Sequence, residues 1–193
     1  MTETPNNETL LPLHYQFLMK VPGTVSTFAD YRTYVLAKIN GHLSITYWVS
    51  GSSKDTSYVH KALALAKQVG AEDLLGLFNT AMGAFIVTDP DTALPFLEKG
   101  LAMSLKADDY HTAVTAYAFH AWAYHYKANH KKELDYRKAA LIYAQSRDLT
   151  QDICWSYQGL AEAFEEAKQY DSSFYYGYKA LALARQIPLL NME

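Results

Sequence analysis

One cysteine, Cys154, stands in the whole chain. A single thiol closes no internal disulfide and builds no CxxC metal site, which fits a reducing compartment. Long apolar runs are missing too. No stretch approaches the ~20 apolar residues of a membrane span, so no membrane partner is expected. The first ten residues, MTETPNNETL, lack a basic segment followed by an apolar run, so they do not read as a signal peptide. The default expectation is a cytoplasmic protein. Charge is scarce, at 19% of residues, and 17 Lys+Arg against 20 Asp+Glu leave a net charge of -3. A nucleic-acid binder carries a basic stripe, and none is present. GxSxG, P-loop, GxGxxG and HExxH motifs are all absent, so neither an enzyme nor a cofactor is expected.

What is abundant is apolar and aromatic. Half of the 193 residues (50%) are hydrophobic, and 16 are tyrosines. That composition excludes disorder over most of the chain and suffices for one domain or one linear array. A core built for stability alone needs few phenolic hydroxyls, so the rings call for a further explanation.

The chain repeats itself. KALALAK at 61–67 returns as KALALAR at 179–185, with weaker copies at 99–103 and 140–144. Aligned on the small residue before leucine, the copies fall at Ala62, Gly100, Ala140 and Ala180, spaced 38, 40 and 40 apart. Each copy sits in a run of good helix formers, and each follows a turn signal and an earlier helical run. The pattern predicts four helix–turn–helix units: 27–50 with 55–69, 72–87 with 92–106, 111–128 with 131–146, and 150–167 with 171–187. Thr92 is expected to cap its helix, with Pro95 in the first turn where its missing N–H is tolerated.

Small and aromatic residues recur in register on the first helices. Ala121 and Ala161 lie forty apart; Tyr117 and Tyr157 precede them by four, and Tyr124 and Phe164 follow by three. Here the chain resembles the tetratricopeptide repeat family, over about residues 36–187. Unit four carries the pattern best, through Tyr157, Leu160, Ala161, Phe164, Tyr170, Ser173 and Ala180. Unit three departs at His120, where Leu is expected, and at Glu133, where Ala is. The period exceeds the family's usual 34 residues, so extra residues are expected in the second helix and the following link. The likeness is to long-unit arrays of bacterial signalling proteins. It implies an all-α, right-handed α-solenoid spanning 26–187, with an N-terminal extension at 1–25 and a tail at 188–193.

The resemblance also implies a function: a non-catalytic scaffold whose first helices line a groove for a protein or peptide. The groove positions carried over are Trp48, Phe78, Asn79, Phe85, Phe119, Trp122, His125, Tyr126, Trp155, Gln158 and Glu162, with His42 and Met82 beside them. An aromatic groove suits an apolar or aromatic peptide. The alternative is a sensor that holds a small molecule or signal peptide there. The chaperone-tail clamp of Lys, Asn and Arg has no counterpart.

No metal site is expected. His120, His125 and His130 are five apart, each rotated about 140° from the last on a helix, so they share no face. Cys154 reads as a buried small hydrophobe, and Glu162, Glu165 and Glu166 as a solvated face. Helix 171–187 is apolar around most of its circumference, through Phe174, Tyr175, Tyr178 and Leu181. Only six residues follow it, so that face is expected either to pair two copies as a homodimer or to meet a further helix. Residues 10–20 read equally well as a helix or an extended segment.

Overall fold

The structure is a computed structural model that describes residues 22–49, 51 and 55–187, without the side chains of 47–49. Segment 10–20, the tail at 188–193 and the Trp48 side chain lie outside the described residues. Eight helices run through the described chain: α1 Phe28–Val49, α2 Ser57–Gln68, α3 Glu72–Phe85, α4 Pro90–Lys106, α5 Tyr110–Tyr126, α6 His130–Ser146, α7 Thr150–Glu166 and α8 Tyr170–Ala184. They form four antiparallel pairs, and no extended strand occurs among the described residues.

From α4 onward the architecture is metric. Helices α4 to α7 are each 17 residues long, about 25 Å at 1.5 Å per residue, and three residues join each to the next. The 40-residue sequence period is therefore two equal steps of helix plus link. The extra length lies in both helices and not in the second helix and link as expected.

Each link is built alike. Its middle residue is left-handed: Asp108 (φ 54), Ala128 (φ 53), Asp148 (φ 53) and Lys168 (φ 57), with Gly70 (φ 61) between α2 and α3. The next N–H then donates back to the carbonyl five residues earlier: Asp109 to Ser104 (2.9 Å), Asn129 to Tyr124 (2.9 Å), Leu149 to Ala144 (3.1 Å), Gln169 to Phe164 (2.8 Å). This is the Schellman closure, which satisfies an orphan carbonyl of the ended helix. The residue after the turn starts the next helix at once. Asp109 and Asn129 do so with a side-chain cap, accepting from the N–H of Thr112 and Lys132, both at 3.2 Å. At α4 the cap position falls to Asp89, and Pro90 opens the helix. Thr92 instead donates to Asp89 Oδ2 at 2.7 Å, and Pro95 lies inside the helix, past its first turn.

Every helix packs on its chain neighbours, and the first helices α1, α3, α5 and α7 also touch in succession. The second helices α2, α4, α6 and α8 do not touch one another. The first helices thus form the close-set inner layer of a helical-repeat solenoid, and the second helices fan outward. The aligned small residues Ala62, Gly100 and Ala140 are buried in the seams; Ala180 is half-buried. Burial declines along the array. Ten of the fourteen residues of α3 are buried, and none of α8.

Candidate binding cleft

The inner layer opens between units three and four. A cleft of about 450 Å³ lies there, walled by α5 and α7 and floored by α6. On α5, Thr115, Ala118, Phe119 and Trp122 recur at the i, i+3, i+4, i+7 spacing of one helix face, as do Trp155, Gln158, Gly159 and Glu162 on α7. Ala118 and Gly159 are small at mid-height, and Ala140 is small on the floor, which keeps the space open. A Cβ on Gly159 would stand 2.7 Å from Arg137 Nη1.

Three charged residues are buried in or beside this apolar site. Arg137 is 6% exposed and Glu133, one helical turn before it, is 2% exposed. Arg137 Nε and Nη2 both donate to Glu133 Oε1 at 3.1 Å. Its guanidinium carbon lies 5.3 Å from the centroid of the Trp122 ring. The Nη1 side faces Gly159 and the cleft. Asp152, also buried, is held by His111 Nδ1 at 2.6 Å. Rings on both walls and a buried guanidinium with its Nη1 toward the cleft suit an apolar body carrying a neutral hydrogen-bond acceptor.

The residues carried over from the repeat pattern divide sharply. Phe119, Trp122, Trp155, Gln158 and Glu162 meet in the cleft, and Tyr126 flanks it, 6.4 Å from Trp122 ring to ring. Phe78 does not face a groove: it is 1% exposed in the core, under Gly41, where a Cβ would meet its ring at 2.0 Å. Met82 is buried in the same core, and Phe85 packs against it. Asn79 is buried, donating to Leu75 O at 2.6 Å, and it borders a separate hollow with Lys67 and Phe96. The physical reason is shared: α3 is enclosed by α1, α2, α4 and α5, so it has little open face. His42 is exposed on α1.

Other residues also moved. His120 is buried, its Nδ1 donating to Ala116 O at 2.8 Å and its ring stacked 4.7 Å from Tyr136. Cys154 is half-buried, its thiol donating to Ala180 O at 3.4 Å. Glu165 is exposed, but Glu162 borders the cleft and Glu166 pairs with His125. His125 and His130 are not on one helix at all: His130 begins α6, and the link brings both to Glu133, so the rotation argument against a shared site fails. Arg137 and Asp152 were missed, because single charges on a helix read as solvated. The available signal was the Glu133–Arg137 i, i+4 pair, with Glu133 at a position where the pattern has a small residue.

No family model matches the chain, and no curated protein matches it. Among the described residues no helix is long and apolar enough to cross a membrane.

Proposed function

We propose that the chain is a non-catalytic binding module, a cytoplasmic scaffold of the tetratricopeptide kind, that receives a peptide segment of a partner protein in the unit three–four cleft. One observation carries the reading: three large rings, Phe119, Trp122 and Trp155, surround a buried Arg137 in a cleft of about 450 Å³. An apolar side chain of the peptide would enter between the rings. A backbone carbonyl of the peptide would meet Arg137 Nη1. A second reading is favoured by the cleft's size, which falls within the 300–1,000 Å³ common for small-molecule sites. In it the cleft senses a compact ligand of the same chemistry. The exposed rings of α8 support a further proposal, a homodimer through that helix.

Two of the three tryptophans line the cleft, so intrinsic fluorescence reports on it. A panel of short peptides ending in Phe, Tyr or Leu, each as acid and amide, is to be titrated against the full chain. Saturable quenching is expected, and Trp122→Ala abolishes it while circular dichroism stays unchanged. Affinity unaltered in Trp122→Ala rejects the cleft. Quenching by free N-acetyl amino acids as tight as by peptides favours the sensor.

A further inference from the structure

Helix α5 ends at Tyr126, and a three-residue link turns the chain straight into α6. That reversal brings two histidines to one carboxylate oxygen. His125 Nδ1 lies 3.4 Å from Glu133 Oε2, and His130 Nδ1 lies 3.5 Å from the same atom. Glu166, the last residue of α7, reaches in from unit four with Oε2 3.1 Å from His125 Nδ1. The donor atoms of His125, Glu133 and Glu166 all lie within 4.8 Å of one another.

We propose that these side chains form a divalent-cation site of zinc type, with His125, Glu133 and Glu166 as its three protein ligands. Spacing is the first argument. Charge-assisted N–H···O bonds settle at about 2.7–2.9 Å, and the contacts to Glu133 are well beyond that. Bonds of about 2.0–2.1 Å to a tetrahedral zinc ion set adjacent donors about 3.3–3.4 Å apart. The observed 3.1 and 3.4 Å from His125 Nδ1 to the two carboxylates lie close to that edge. Donor chemistry is the second: imidazole nitrogen with carboxylate oxygen suits zinc and its neighbours better than magnesium or calcium, which take oxygen alone.

The surroundings supply a third. Glu133 is buried, and its other oxygen is fixed by two N–H donors of Arg137, the outer-shell support that orients a ligating carboxylate. Two carboxylates beside one guanidinium leave a net charge of -1 when the imidazoles are neutral, which favours a cation. The ion would tie the ends of α5 and α7 to the start of α6. It would also sit at the rim of the cleft, because the His125 ring meets the Trp122 ring edge-on at 5.6 Å.

The test uses the full chain, stripped with a chelator and titrated with ZnCl2 by calorimetry, with Co(II) as the spectroscopic probe. One equivalent of saturable Zn(II) binding is expected, with a raised Tm and the intense visible band of tetrahedral Co(II). His125→Gln and Glu166→Gln each weaken binding at least about tenfold. His60→Gln, on α2, leaves it unchanged. Both test residues have solvent access, so these variants fold, whereas Glu133→Gln would strand the buried Arg137. Absence of a saturable one-equivalent isotherm overturns the proposal, as does binding that His125→Gln and Glu166→Gln leave intact.

Discussion

At the scale of single residues, the two departures of unit three from its repeat pattern are the informative ones. His120 stands where a leucine fits, and it is fully buried, with Nε2 lacking a hydrogen-bond partner among the described residues. A buried unsatisfied polar atom costs about 1–3 kcal/mol. His120→Leu is therefore expected to raise unfolding free energy by about 1 kcal/mol at pH 7.5, read by urea denaturation. A pH dependence goes with it. Burial lowers the His120 pKa, more than the Ala116 carbonyl and the charge of Glu98 raise it. The unfolded state then takes up the proton first, so stability falls as pH drops below the unfolded value of about 6.5 and levels off beneath the folded one. The gap between His120→Leu and the parent should widen from pH 7 toward pH 5; a constant gap would mean that His120 does not titrate on unfolding. Left-handed links give a second residue-scale prediction. Ala128 and Lys168 hold φ of 53 and 57, a conformation that strains any residue with a Cβ by about 1–2 kcal/mol. Ala128→Gly should stabilise by about 0.5–1 kcal/mol in the same measurement, since glycine loses part of the gain to chain entropy. A lower midpoint would mean that the methyl packs against something the backbone argument ignores.

At the scale of the helix pair, close approach decides what a glycine is for. A Cβ on Gly100 would stand 2.3 Å from Thr80 Oγ1 and 2.7 Å from Thr80 N, across the α3–α4 crossing. The second neighbour is backbone and cannot rotate away. Among the described residues, a Cβ on Gly177 of α8 would meet only the Ala161 methyl, at 4.0 Å. Gly100→Ala is thus expected to lower stability by about 1–3 kcal/mol, although alanine is the better helix former. Gly177→Ala should raise it by about 0.5–1 kcal/mol. Thermal melts of the two variants with opposite shifts of Tm check the contrast; shifts of the same sign sink it. The seams behind this contrast were legible in the sequence, because small residues at Ala62, Gly100 and Ala140 recur with the helix pair. The helices were legible too, since helix formers and turn signals alternate. The groove face of α3 was not. Its apolar residues run around the whole helix, so Phe78 and Asn79 could not be told from cleft residues by periodicity. On α5 and α7 small residues alternate with rings, and Phe119, Trp122 and Trp155 line one cleft. Arg137, Asp152 and the His125–Glu133–Glu166 cluster stayed hidden for other reasons. Arg137 had only the i, i+4 pair with Glu133 to mark it, and pairs of that kind mostly lie in solvent; Asp152 and the cluster depend on contacts across a turn or between units, which no spacing along one helix encodes.

At the scale of the whole molecule, the array is graded from a closed end to an open one. The first two units share one broad core, which reaches from Val25 through Phe78 to Met82. The later units are held by smaller clusters around Leu97 and Val114, by stacked tyrosines and by charged pairs. At the far side α8 packs on α7 alone among the described helices and buries nothing fully. Phe174, Tyr178 and Leu181 lie one turn apart on it, 64%, 69% and 47% exposed. With Gly177 they make an i, i+3, i+4, i+7 stripe without a charged residue. A two-fold interface places each patch against its own copy, so a charge at its centre would meet a like charge. An uncharged stripe escapes that repulsion, and burying three large apolar side chains per copy is worth several kcal/mol by area, at about 25 cal/mol per Å². This geometry is what supports the proposed homodimer through α8. Light scattering behind gel filtration should give about twice 21.8 kDa for the parent chain at micromolar concentration. Phe174→Asp with Tyr178→Asp should give the monomer, because four carboxylates would then face one another across the axis. Both side chains are solvent-exposed in the single chain, so the pair leaves its helix content intact. A parent that elutes as a monomer across a hundredfold range of concentration rules out α8 as a self-association face.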